Sequence, residues 1–255
     1  MATANQSLLS TDLSLADLIL GKTTLKKIAA IKSWLKQNSN DGANTTSKTG
    51  CRIFLSGQSN LDKTLTTELL GKEFDKRVYK IDLSKVVSKY IGETEKNLEQ
   101  IFAKAEDKNW ILFFDEADAL FGKRSNVKDA HDRYANAEVN YLLQRMEEYS
   151  GLAILAANVK GNIDEAFIRR FHFVINFPVP TPAERLKLWQ NSFTEFVTLA
   201  DDVDLLFIAK KYVLSRGNIQ LIAKQVKATV KEGEKITANL LLTTIESFYT
   251  TIGAN

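Results

Sequence analysis

LSGQSNLDKTLT, residues Leu55 to Thr66, joins two kinds of sequence. RIFL leads into it as a short apolar run, and KTLTTELL leads out of it with helical patterning. Such a junction reads as a buried strand that ends at a glycine turn and opens into a helix. Similar short apolar runs recur in VYKIDL, WILFFDE, LAILAAN and FHFVINF, with helical patterns between them. Unbroken apolar runs alternating with helices predict a parallel sheet covered on both faces.

Upstream, Leu25, Ile28, Ile31, Trp34 and Leu35 stand at helical spacing, predicting a helix from about Thr23 to Gln37. NSNDGANTTSKTG then breaks all periodicity and reads as an exposed loop. All three prolines fall between Pro178 and Pro182, and AERLKLWQNSF, DLLFIAKKY, NIQLIAKQVKATV and ANLLLTTIESF beyond them are helical by pattern. The expected organisation is a helix and loop over 1–50, an α/β core over 51–180 and a helical domain over 181–255.

At 255 residues the chain has length enough for a substantial core. Its 34 basic and 31 acidic residues leave a balance of +3, too mild to argue for nucleic acid or a membrane surface. One cysteine, Cys51, rules out an internal disulfide and fits a reducing compartment. MATANQSLLS lacks a signal-peptide pattern and no apolar run is long enough to span a bilayer, so the expected location is cytoplasmic.

The turn itself carries chemistry. Where a strand opens into a helix, backbone N–H groups and the helix N-terminus can surround phosphates, a lysine reaches the outer ones and a hydroxyl holds Mg²⁺. Gly57 opens such a loop and Lys63 and Thr64 close it, with Gln58, Ser59, Asn60, Leu61, Asp62 and Leu65 as the other expected phosphate-side positions. Asp62 stands where that pattern ends in glycine, and Asn60 replaces another glycine. A carboxylate about 4 Å from a phosphate charge in a partly screened site opposes it by roughly 4 kcal/mol, about a thousandfold in affinity. Asp62 could turn outward, be protonated, or pair with a local base.

Further along, WILFFDEADAL ends a strand in Asp115 and Glu116. Beside the turn, Asp115 can hold Mg²⁺ through water and Glu116 can polarise an attacking water. LAILAAN ends in Asn158, a polar amide at the strand end where open α/β sheets bind ligands. FIRRF supplies Arg169 and Arg170, which can stabilise phosphoryl charge or serve as a solvated basic pair.

These blocks, with KYIGETEKNLEQIF and the proline-marked helical segment, resemble an AAA+ ATPase module from roughly Leu15 to Phe248. The likeness is strongest to bacterial AAA ATPases of contractile-injection and phage-like clusters, and extends more distantly to microtubule-severing and ESCRT-disassembling types. It implies a P-loop NTPase three-layer α/β/α fold with a parallel five-stranded sheet of order 5-1-4-3-2, followed by a helical lid. It also implies ATP and Mg²⁺ as cofactors, and a ring-shaped homo-oligomer, commonly a hexamer, acting on a protein substrate. By resemblance Thr64 and Asp115 serve the metal, Glu116 the water, Asn158 the first sensor, and Arg169 and Arg170 the fingers. Gly217 and Asn218 fall in SRGNIQ, which matches the adenine-packing turn, although Arg216 stands where a glycine is usual. Tyr90, Ile91 and Gly92 match the aromatic–hydrophobic–glycine loop that lines the pore of such rings, and KRSNVKDAHDRYAN would be a second pore-side loop.

The two histidines, His131 and His172, lack metal-like spacing and read as surface or packing residues, and Trp34, Trp110 and Trp189 as core. Two functions follow: an ATPase that remodels a protein assembly, or an ATPase frame, impaired by Asp62, that serves as a scaffold or binding subunit. A DNA-handling ATPase finds little support without a basic stripe.

Overall fold

The structure is a computed structural model that describes residues 7–9, 20–39, 50–88, 90, 92–118, 130–158, 165–193, 198–231 and 233–253. The five apolar runs form β2 (Cys51–Ser56), β3 (Val78–Asp82), β4 (Ile111–Asp115), β5 (Leu152–Ala157) and β6 (Phe173–Asn176). They lie parallel in the order β3-β4-β5-β2-β6, the expected arrangement. A short strand that the sequence reading did not foresee, β1 (Ser7–Leu9), adds to the β3 edge in antiparallel register.

The central strands are buried on both faces, which explains their lack of alternation: every residue of β4 and β5 is buried. Phe54 of β2 packs edge-on to Phe167 at 5.4 Å and against Phe171 at the same distance. With Phe54 fully buried, truncating it to alanine should cost about 3–5 kcal/mol. Helices α1 (Lys22–Ser39), α2 (Asn60–Glu73), α3 (Leu83–Val86), α4 (Glu93–Lys108), α5 (Ala130–Glu148) and α6 (Glu165–Ile168) complete this layered unit. The first of these is held to β6: Lys27 Nζ donates to Val174 O at 2.9 Å, and Trp34 meets Phe173 edge-on.

The chain forms two compact units that divide between Phe177 and Pro178, with Leu20 and Gly21, just before α1, grouped with the second. The second contains α7 (Pro182–Ser192), α8 (Leu205–Lys211), α9 (Arg216–Thr229) and α10 (Ala238–Gly253). Thr181 and Glu184 close a capping box at the start of α7, with Pro182 at a position whose N–H is not needed. Its core gathers around Trp189, Ile219, Ile222, Leu241 and Ile245, all essentially inaccessible. No helix among the described residues is long and apolar enough to cross a membrane.

Candidate nucleotide site

Gly57 makes the turn after β2 possible. Its φ is +123°, and a Cβ there would lie 2.2 Å from Phe177 O, so both conformation and space demand glycine. The turn is pinned on both sides: Gly57 N–H donates to Ala157 O, and Phe177 N–H donates to Ser56 O. Ser59 then caps α2, its hydroxyl accepting from Asp62 N–H at 3.3 Å while its carbonyl accepts from Lys63 N–H. The helix therefore starts at Asn60, one turn earlier than the loop reading of QSNLD suggested. Serine followed three residues later by an acid is a helix-start signal, and it prevails over the open loop. The N–H groups of Asp62 and Lys63, which a phosphate would use, are tied to Ser59.

Asp62 is only 2% exposed, so the outward-facing escape is closed. Gln58 and Asn60 are exposed, Leu61 and Thr64 half-buried, and Leu65 buried. Lys63 is fully buried and reaches across the turn, its ammonium donating to Gly57 O at 2.7 Å, Ala157 O at 3.1 Å and Asn158 Oδ1. Burial pushes its pKa down, and the charges of Asp115, Asp118 and Glu116 oppose that shift, while Lys80 adds to it.

Parallel register brings the ends of β4 and β5 to the same edge. Asp115 ends β4 buried, with Oδ1 accepting from Glu116 N–H at 3.0 Å and Oδ2 paired to Lys80 Nζ at 2.7 Å. Glu116 is exposed and holds a left-handed φ of +60°, uncommon for a residue with a side chain and frequent at functional sites. Asn158 N–H donates to both carboxylate oxygens of Asp118, at 2.9 and 2.8 Å. Lys63, Asp115, Glu116 and Asn158 thus meet at one end of the sheet. Lys80 and Asp118 were missed. Asp118 stands one turn after Asp115 in DEAD, a spacing that could have flagged it.

Other predicted residues lie apart. Arg169 is well exposed and paired with Glu165 at 2.8 Å, and Arg170 lies 3.7 Å from Glu147. Tyr90 is 72% exposed and Gly92 starts α4 in the left-handed region, whereas Ile91 lies outside the described residues. Most of the second pore-side loop also lies outside them. Gly217 and Asn218 sit in the first turn of α9, where Ser215 Oγ accepts from Asn218 N–H and Arg216 is buried. His172 is a packing residue, its ring tilted against Trp34 at 5.4 Å and its Nδ1 accepting from Arg52 N–H; the side chain of His131 lies outside the described residues. A cavity of about 640 Å³ lined by Phe74, Arg77, Lys108 and Trp110 lies before the starts of β3 and β4, at the opposite sheet end from this chemistry.

Hard oxygen donors on Thr64 and Asp115 suit Mg²⁺, and Lys63 suits a phosphate, so the donor set fits a magnesium nucleotide by type. Asp62 and Lys80 are the two residues out of keeping with it. A parallel sheet of this order, with a glycine turn into a helix carrying a buried lysine and an acidic pair on a nearby strand, defines a P-loop NTPase fold. Residues 53–179 match the model of the ATPase family associated with various cellular activities, and the chain belongs to this AAA family. It is 31% identical over 145 residues to cell division protein C of Sulfolobus acidocaldarius, covering 53% of this chain and 39% of that protein. It is 27% identical over 183 residues to a putative ribosome biogenesis ATPase nvl of Dictyostelium discoideum, covering 68% and 21%. To a putative cell division cycle ATPase of Plasmodium falciparum it is 31% identical over 163 residues, covering 62% and 13%. The matched segments thus span well under half the length of these relatives.

Proposed function

We propose that this chain binds Mg²⁺·ATP and couples its hydrolysis to remodelling a protein assembly. The observation that supports this most is the convergence of Lys63 and Asn158, joined by a hydrogen bond, with Asp115 and Glu116 at one edge of the sheet. Bound Mg²⁺·ATP would supply the phosphoryl group and the metal charge that hydrolysis requires. Thr64 and Asp115 would hold the metal and Lys63 the phosphates. In this reading Glu116, exposed at the strand end, accepts a proton from water, and Asn158 orients that water. Asp118 fixes Asn158 through its backbone N–H, leaving the amide side chain directed at Lys63. Arg169 is held by an exposed ion pair worth little, so it is free to reach a neighbouring subunit's site. Tyr90, exposed beside Gly92, fits a loop that grips an extended peptide in a ring of copies of this chain. The relatives named for cell division and ribosome biogenesis are consistent with work on large protein assemblies.

One observation favours a second reading. Asp62 is buried in the first turn of α2, where phosphate charge would gather, which suits an ATPase frame that serves as a scaffold or binding subunit. ATP binding and steady-state hydrolysis of the natural chain beside Asp62→Gly and Glu116→Gln decide between them. The enzyme reading expects the natural chain to turn ATP over and Glu116→Gln to bind without turnover. Binding restored only by Asp62→Gly supports the scaffold reading, and no binding in any of the three overturns the enzyme.

A further inference from the structure

Lys80 is third in β3, and parallel register sets it opposite Phe113, two residues before Asp115 on the same face of β4. Its stem runs along that face, with the ammonium 5.6 Å from the Phe113 ring centroid and 2.7 Å from Asp115 Oδ2. Asp115 is only 6% exposed at its side chain and Lys80 is 27% exposed, so the pair is partly shielded from water. The other oxygen of Asp115 already accepts from Glu116 N–H. Each oxygen of the carboxylate expected to serve the metal therefore has a donor from the chain itself. The charge of Lys80 also bears on Glu68 and Lys63, which makes it a member of the site's electrostatic set.

We propose that Lys80 is a built-in cation at the metal position, which a divalent ion must displace from Asp115 before the site can load. The inference rests on the proposed role of Asp115 as a metal-serving carboxylate. A charge-assisted hydrogen bond of this length, discounted for partial exposure, corresponds to about a tenfold loss of metal affinity. Lys80 thereby sets how much Mg²⁺ the site demands, and it acts as a positioning and specificity residue rather than one that touches substrate.

The test uses Mn²⁺ alone, without nucleotide, titrated into the full chain while the amide signals of Glu116 and Ala117 are followed by NMR. Lys80→Met should bring paramagnetic broadening of these signals at about tenfold lower Mn²⁺ than the natural chain, because the competing charge is gone. Lys80→Gln, which keeps a polar tip, should move the same way, and Lys80→Arg should stay near the natural value. Unchanged or weaker Mn²⁺ response in both uncharged variants, with the natural fold retained by circular dichroism, overturns the proposal. The ATPase reading fails separately, by absence of ATP binding in the natural chain and in Asp62→Gly alike. A tenfold gain in Mn²⁺ response alongside that failure would leave Lys80 as the cation that replaced a lost metal.

Discussion

The two halves of the site differ in what their polar groups face. At the ends of β4 and β5, Glu116 is exposed and turned to solvent, while Asn158 is braced through its backbone by Asp118 and accepts from Lys63 at its side-chain oxygen. Across from them, the first turn of α2 has folded onto itself. Ser59 takes the N–H groups, Asp62 lies buried among them, and Lys63 is spent on Gly57, Ala157 and Asn158. A phosphate cradle works because its donors are unsatisfied until the ligand arrives. In this chain Glu116 faces solvent, whereas Asp115 and Asn158 accept from donors of the chain itself and the first-turn N–H groups of α2 are taken by Ser59. Substitution at one turn of helix is enough to separate the two, since their residues come from different strands.

The largest expected effect therefore comes from Asp62→Gly. Removing a buried carboxylate from beside the phosphates should tighten ATP binding by about a thousandfold, roughly 4 kcal/mol, read by titration with a fluorescent ATP analogue. A change under tenfold would mean that Asp62 does not face the ligand, and the contrast between the halves would collapse. Next comes Gly57, which both halves share through the pairing of β2 with β5. Gly57→Ala places a methyl against Phe177 O and fixes a side chain at a φ suited to glycine, so the fold should lose about 3 kcal/mol or more. A urea midpoint within error of the natural chain would show that the turn can relax.

Asp118 tests chiefly the strand-end half of the site. Asp118→Ala leaves the part-buried N–H of Asn158 without its acceptors, a cost of about 1–3 kcal/mol. Turnover should fall more than ATP affinity, because Asn158 loses its brace while Ser59, Asp62 and the first turn of α2 are unchanged. Asp118→Asn keeps one acceptor and should recover most of the stability, measured by thermal unfolding. Equal loss of affinity and turnover would show that the two halves are not separable.

Much of this arrangement was legible from residues alone. The five strands announced themselves because a parallel sheet buried on both faces needs continuous apolar runs, and those of β2, β4 and β5 end beside Gly57, Asp115 and Asn158. The sheet order was not in the pattern and came from resemblance. β1 escaped notice because three residues at an antiparallel edge carry no periodic signal. The early start of α2 is half visible in Ser59 and Asp62, a capping pair inside a stretch whose glycine turn suggests a loop. Lys80 was invisible for a different reason. In VYKIDL it looks like one polar residue interrupting a strand, and its partner lies 35 positions away in a different strand, found only through β3–β4 register.

The smallest effect separates the cradle helix from its support. Glu73, at the last turn of α2, accepts Lys32 at 3.0 Å and Lys36 at 3.4 Å from α1. Lys32, above all, holds the Glu73 carboxyl below its ordinary range, with partial burial opposing it and Lys36 adding a further lowering. A depressed carboxylate pKa contributes stability that is fully present above the unfolded value of about 4.3 and is lost as pH falls through the folded value. These side chains are partly exposed, so the contribution is about 0.2–1 kcal/mol. Between pH 6 and pH 3 the natural chain should lose that increment relative to Glu73→Gln, measured as the difference in urea unfolding free energy. Because Glu73 lies nearly four helical turns from Ser59, ATP affinity at pH 7 should stay within about twofold in Glu73→Gln. A larger drop would show that the cradle depends on how α2 is anchored at its far end, and that its closed first turn is a property of the whole helix rather than of Ser59 and Asp62.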